Sequence, residues 1–158
     1  MKSWDWGAGT GTWATLCRCP GMIFSVHSVE GEAGLMTDIR ILIVEDDPFI
    51  AMDIESAVAE QFGAAAELIV VDSVSQAKRA ATAAELSCAL LDIDVVGGKT
   101  FDVAAELLNK GTPFAFVSGS TPSEVPEPLR NVRFLRKPFS TRDITSFVTA
   151  AVAQPAKG

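Results

Sequence analysis

Ile41-Leu42-Ile43-Val44-Glu45-Asp46-Asp47 is the stretch that decides the fold. An uninterrupted aliphatic run of this length is what a strand covered on both faces requires. Acids follow it at once. A second stretch repeats the design: Ala89-Leu90-Leu91 ends at Asp92, with Asp94 two residues on. In an open α/β sheet the carboxyl ends of the strands border the crevice where ligands bind. Carboxylates converging there repel one another unless a cation sits among them. The pattern therefore predicts a divalent metal.

Outward from these two strands the sequence alternates. The first strand is read as Ile39 to Val44. Asp47 caps a helix that begins near Pro48, where proline is tolerated in the first turn. Ile50, Ile54, Ala57, Val58 and Phe62 recur at helical spacing, and Gly63 closes the helix. A second strand is expected over Glu67 to Val71. A second, alanine-rich helix, capped by Ser73 or Ser75, runs through Ala84. The third strand is Ser87 to Leu91. Gly97-Gly98 mark a loop, and a third helix carries Phe101, Val103, Ala104, Leu107 and Leu108 before Gly111 stops it. A fourth strand is read at Phe114 to Val117 and a fifth at Val132 to Leu135. The last helix runs from Thr141 to Ala153. Between the last two strands Thr121 to Arg130 should form a helix, but Pro122, Pro126 and Pro128 interrupt it. Interior proline costs about 3 kcal/mol, so a short, bent or partly irregular segment is expected. Five strands alternating with helices predict a parallel sheet with helices on both faces.

The chain has 158 residues, 48% hydrophobic and 21% charged, with a formal net charge of −7. That is enough apolar material for a real core. The acidic balance argues against direct nucleic-acid binding, which needs clustered Lys and Arg. Cys88 lies in an apolar run and reads as a small core residue. Cys17 and Cys19 have no second pair and no histidine at ligand spacing, so neither zinc nor a disulfide framework is supported. No stretch approaches the roughly 18 apolar residues of a membrane span. Met1-Lys2 leads into Trp4, Asp5 and Gly7, not into an apolar signal sequence, so the cytoplasm is expected. Residues 1–36 contain all the tryptophans (Trp4, Trp6, Trp13), frequent glycines and no sustained period. They are read as an irregular extension, with Met36 as an alternative start and His27 as a solvated bystander. Residues 37–154 form the expected domain, and 155–158 a tail.

Four strand ends carry the chemistry. The first gives Glu45 and Asp46, the third Asp92, the fourth Ser118, and the fifth Lys137 in Lys137-Pro138-Phe139. A parallel sheet brings all of them to one edge. The types suit phosphoryl transfer. A carboxylate can act as nucleophile and form an aspartyl phosphate. Acid-bound Mg²⁺ can neutralise the transferring group. A lysine ammonium can pair with the carboxylate and then with a phosphoryl oxygen, and a serine hydroxyl can donate to another. Each residue alone could be an ordinary polar group where a strand surfaces; their joint occurrence in this strand order argues otherwise.

From about Ile39 to Val152 the chain resembles the receiver domain of bacterial two-component response regulators. The resemblance rests on Ile41 to Asp47, Leu90-Leu91-Asp92, Ser118-Gly119 and Lys137-Pro138-Phe139. It implies a flavodoxin-like (βα)5 fold, a doubly wound parallel sheet of order 2-1-3-4-5 with an irregular fourth helix. It puts the phosphoacceptor on Asp92 and the Mg²⁺-holding pair on Glu45 and Asp46, with Asp92 and the Asp94 backbone carbonyl completing the metal site. Ser118 falls on the Ser/Thr switch position, Lys137 on the phosphate-binding lysine, and Phe134 on the aromatic switch position, for which core packing is the equal alternative. A histidine kinase or histidine phosphotransfer protein is the implied donor, and Asp92, Lys137 and Ser118 promote only the domain's own phosphorylation and dephosphorylation. Only Gln154 to Gly158 follows the last helix, so a stand-alone regulator is expected, without a DNA-binding output domain. It would act on an unknown downstream protein or as a phosphate sink.

Three departures from the family pattern stand out. The loop after Asp92 lacks its common proline. Asp94 places a further acid beside the site. The fourth helix is proline-rich. Two other fold-and-site patterns compete with this one. Asp92-Ile93-Asp94 resembles the Asp-x-Asp nucleophile of haloacid-dehalogenase-like phosphatases, but that motif normally opens the fold on its first strand. A flavodoxin- or Rossmann-type nucleotide site would need a glycine-rich first turn, and Glu45-Asp46-Asp47-Pro48 would repel a pyrophosphate.

Overall fold

The structure, a computed structural model, describes residues 39–154. The extension with Trp4, Trp6, Trp13, Cys17, Cys19, His27 and Met36, and the 155–158 tail, lie outside the described residues. Five parallel strands form one sheet: β1 (Ile39–Val44), β2 (Ala66–Val71), β3 (Cys88–Leu91), β6 (Phe114–Ser118) and β7 (Arg133–Arg136). Their spatial order is β2-β1-β3-β6-β7. Counted along this sheet alone, that is the flavodoxin-like 2-1-3-4-5.

Four α-helices cover it: α1 (Pro48–Phe62), α2 (Val74–Ala83), α3 (Phe101–Lys110) and α4 (Thr141–Val152). Strand alternation decides which helix meets which face. Ile41, Ile43, Leu90, Ala115 and Val117 face α1 and α4, packing on Ile54, Val58, Ile144 and Val148. Leu42, Val44, Leu91 and Phe116 point the other way, onto Ala77 and Ala81 of α2 and Val103 and Leu107 of α3. The central strands β1 and β3 are buried on both faces, which is why they read as unbroken aliphatic runs.

Local signals set most boundaries. The Asp47 side chain accepts from Phe49 N (2.9 Å) and Ile50 N (3.4 Å), capping α1 with Pro48 in its first turn. Gly111 takes a left-handed conformation (φ 74°), and its N–H reaches the Leu107 and Leu108 carbonyls to end α3. Ser140 and Asp143 form a reciprocal capping box on α4.

Two segments differ from expectation. The Gly97-Gly98 loop is a small antiparallel hairpin of β4 (Asp94–Val95) and β5 (Gly98–Lys99). Gly97 (φ 94°) and Gly98 (φ 123°) supply the positive φ the reversal needs. The irregular fourth helix is not an α-helix at all. It is two 3₁₀ turns, Pro122–Glu124 and Glu127–Leu129, anchored by buried Val125 and Leu129. Proline lacks the N–H for an α-helical ladder but is accepted at the first turn of short pieces. The last strand also sits one residue later than read, at Arg133–Arg136.

Candidate functional site

Strand register explains the convergence. Val44 pairs with Leu91 and Leu91 with Phe116. Glu45 and Asp92, each the next residue along, therefore emerge side by side at the carboxyl edge. Ser118 pairs with Arg136, and Lys137 follows it; the Lys137 N–H donates to the Ser118 carbonyl at 3.0 Å.

Lys137 lies at the centre. Its Nζ donates to Glu45 Oε2 at 2.6 Å and to Asp92 Oδ2 at 2.7 Å. Glu45 and Asp92 are buried, and Asp46 is exposed beside them. Glu45, Asp46 and Asp92 each offer a carboxylate oxygen, and these oxygens lie within 4.8 Å of one another. At an effective dielectric of about 20, two carboxylates at that separation repel by roughly 3 kcal/mol, while each contact to Lys137 attracts by roughly 6 kcal/mol. The ammonium therefore holds the buried pair together, but three carboxylates against one ammonium still leave excess negative charge.

The titration shifts fit this arrangement. Burial raises the Glu45 carboxyl, opposed by its bonds to Lys137 and to the Asp47 N–H. Burial lowers the Lys137 ammonium, but the hydrogen bonds to Asp92 and Glu45 outweigh it, and the net shift is upward. Glu45 Oε1 accepts from Asp47 N at 3.1 Å, and Asp92 Oδ1 accepts from Ile93 N at 2.6 Å. The oxygen-only, acid-rich donor set suits a hard divalent cation such as Mg²⁺.

Asp94 stands apart from this cluster. Its carboxylate accepts from Lys99 Nζ at 2.8 Å and Ser120 Oγ at 3.1 Å. Lys99 also reaches Glu124 Oε2 at 3.3 Å. The bond from Lys99 holds the Asp94 carboxyl below the usual aspartate range. The extra acid in the loop after Asp92 is thus matched by a cation five residues on. Lys99, Ser120, Glu124 and the buried Thr100 were not singled out in the sequence. The signal for Lys99 is the hairpin itself, because a two-residue turn at Val96-Gly97 brings Asp94 and Lys99 opposite each other.

Ser118 is buried at the end of β6, and its Oγ accepts from Ser120 N at 3.2 Å. Phe134 is half-buried, with its ring 6.5 Å from that of Phe116. That contact is core packing, the alternative to a switch role for this residue.

No protein-family model and no curated protein matches the chain. Solved structures do. The solution structure of SdrG from Sphingomonas melonis is 32% identical, with 73% of this chain and 97% of SdrG covered and a TM-score of 0.61. A CheY-like response regulator receiver domain from Methanospirillum hungatei is 20% identical over 74% of this chain and 95% of its own, with a TM-score of 0.64. The chain belongs to the response regulator receiver domains. A third similar receiver domain comes from a sensor histidine kinase of Pseudomonas aeruginosa and holds a magnesium ion in its active-site cleft. It is 19% identical over 75% of this chain and all of its own, with a TM-score of 0.59. As in any receiver domain of this fold, the crevice lies where the carboxyl ends of the central strands meet. Here that edge carries Glu45, Asp46, Asp92, Ser118 and Lys137.

Proposed function

We propose that this receiver domain is a phosphoacceptor of a two-component phosphorelay and that Asp92 is the acceptor. The observation that carries the reading is the buried Glu45–Lys137–Asp92 bridge, with contacts of 2.6 and 2.7 Å at the carboxyl edge of the sheet. The donor is a phosphohistidine on a histidine kinase or a histidine phosphotransfer protein. A carboxylate oxygen of Asp92 attacks phosphorus, the new O–P bond forms as the P–N bond breaks, and its electron pair returns to the imidazole. Lys137 already contacts the nucleophile and can pair with a phosphoryl oxygen as charge moves onto it. Ser118 donates its hydroxyl to another.

Glu45, Asp46, the Asp92 carboxylate and the Asp94 backbone carbonyl would hold Mg²⁺, which supplies charge neutralisation of the transferring group. The Asp94 carboxylate is not among these ligands: Lys99 Nζ pairs with it and offsets its charge, and Ser120 Oγ donates to it. Movement of Ser118, with reorientation of Phe134, shifts the domain between two surfaces. Output is contact with a downstream protein, or simple drainage of phosphate, and not turnover of a free substrate. The domain acts in the cytoplasm; among the described residues no helix is long and apolar enough to cross a membrane.

The test is incubation with acetyl phosphate and Mg²⁺, read by intact mass on wild type and Asp92→Asn. Wild type should gain one phosphoryl group and Asp92→Asn none. Equal labelling of both proteins would refute the assignment. Sustained hydrolysis of small phosphomonoesters would instead favour the haloacid-dehalogenase-like phosphatase.

A further inference from the structure

Thr100 occupies the N-cap of α3, a position where threonine normally turns its hydroxyl onto the first free N–H groups of the helix. Here it makes no such bond. Its Oγ1 instead donates to the backbone carbonyl of Asp92 at 2.6 Å, and its N–H donates to the carbonyl of Ile93 at 3.0 Å. The side chain is completely buried. A residue eight positions downstream thus closes the loop after Asp92 at its base, using both of its donors.

The rest of that loop is fastened by other means. Val96 exchanges backbone bonds with Asp72 and Val74, and Asp94 and Lys99 hold the hairpin to Ser120 and Glu124. Those contacts fix the far end. The Thr100 hydroxyl, by contrast, acts at the near end, on the backbone carbonyl of Asp92 itself. That peptide continues into Ile93 N, whose proton meets Asp92 Oδ1 at 2.6 Å. Carbonyl, amide and carboxylate form one short, buried chain, so a shift at the carbonyl is passed directly to the carboxylate.

We propose that Thr100 is a positioning residue for Asp92, its hydroxyl setting the peptide plane that aims the carboxylate at an incoming phosphoryl group. The proposal rests on the phosphoacceptor reading of Asp92. Reactivity is steep in such geometry, since a small misplacement of a reacting group costs one to two orders of magnitude in rate. Thr100→Val keeps the shape and removes the donor. Thr100→Ser keeps the donor and removes a methyl group.

The experiment compares the full-length wild type with Thr100→Val and Thr100→Ser in two measurements. The first is the rate of phosphoryl gain against acetyl phosphate concentration, with Mg²⁺ saturating. The second is the amide proton shift of Ile93 without any phosphodonor, with thermal unfolding recorded alongside. In Thr100→Val the maximal rate should fall roughly tenfold with the half-saturating concentration unchanged. The Ile93 proton should move upfield as its bond to Asp92 loosens, and Thr100→Ser should restore both. A wild-type rate in Thr100→Val would overturn the proposal, as would equal slowing in the two variants or an unmoved Ile93 proton. If wild type takes up no phosphoryl group while the Ile93 shift behaves as stated, the phosphoacceptor reading fails and the structural coupling stands.

Discussion

At the scale of single residues, Lys137 organises the site. Without it, the buried Glu45 and Asp92 face each other with no counter-charge between them. Removing one partner of a buried ionic cluster is costly because the remaining charges stay desolvated. Lys137→Met should therefore cut phosphoryl uptake by about 10²-fold or more, as read by intact mass over time. It should also lower the melting temperature, and Mg²⁺ should recover more of that loss in the variant than it adds to wild type. Equal Mg²⁺ stabilisation of the two proteins would show that the three acids do not share a cation with Lys137 as their alternative. Asp94 illustrates how a residue's neighbours change its meaning. In the sequence it adds charge beside a site already rich in acid. In the structure Lys99 and Ser120 engage its carboxylate.

At the scale of elements, helix caps place the loops that carry the site. Asp47, one residue beyond Asp46, closes the first turn of α1 and so fixes the turn from which Glu45 and Asp46 emerge. Asp47→Ala should cost about 1 kcal/mol in chemical denaturation, while Asp47→Asn should be nearly neutral. On α4, the Ser140 N–H and hydroxyl donate to Asp143 and hold its carboxyl below the ordinary aspartate value. A carboxylate depressed in the folded state stabilises it above the unfolded value and loses that contribution as pH falls through the folded one. The stability gap between wild type and Asp143→Ala should thus be constant at neutral pH and close below about pH 4. A gap that widens in acid would contradict the capping box. The elements least legible in the sequence lie between β3 and β7. The β4–β5 hairpin depends on a cross-strand pair, Asp94 with Lys99, that no single-strand period reveals. The prolines of 122–128 announced a broken helix, but not that buried Val125 and Leu129 would pin two 3₁₀ turns in its place.

At the scale of the whole molecule, the doubly covered sheet was readable because its central strands have no solvent face, so Ile41 to Val44 and Cys88 to Leu91 needed no alternation. The edge strand β7 was read one residue early because Arg133 and Arg136 project outward and mask its pattern. The convergence of Glu45, Asp92, Ser118 and Lys137 was legible from strand ends alone. Which atoms touch was not, since register decides it. Burial of the core is testable at Cys88, whose thiol is completely enclosed and pushed up to about 12 by desolvation. Alkylation at pH 8, mapped by peptide to separate Cys88 from Cys17 and Cys19, should modify Cys88 only as fast as the domain opens. Prompt modification in the native state would mean that β3 is not the closed centre of the sheet. The central claim, that this edge exists to phosphorylate Asp92, is tested most directly by borohydride reduction after treatment with acetyl phosphate and Mg²⁺. An acyl phosphate on Asp92 is reduced to homoserine, so peptide sequencing should find homoserine at position 92 and aspartate retained at 46, 47 and 94. Homoserine at any of those three positions, or none in the protein, would contradict it.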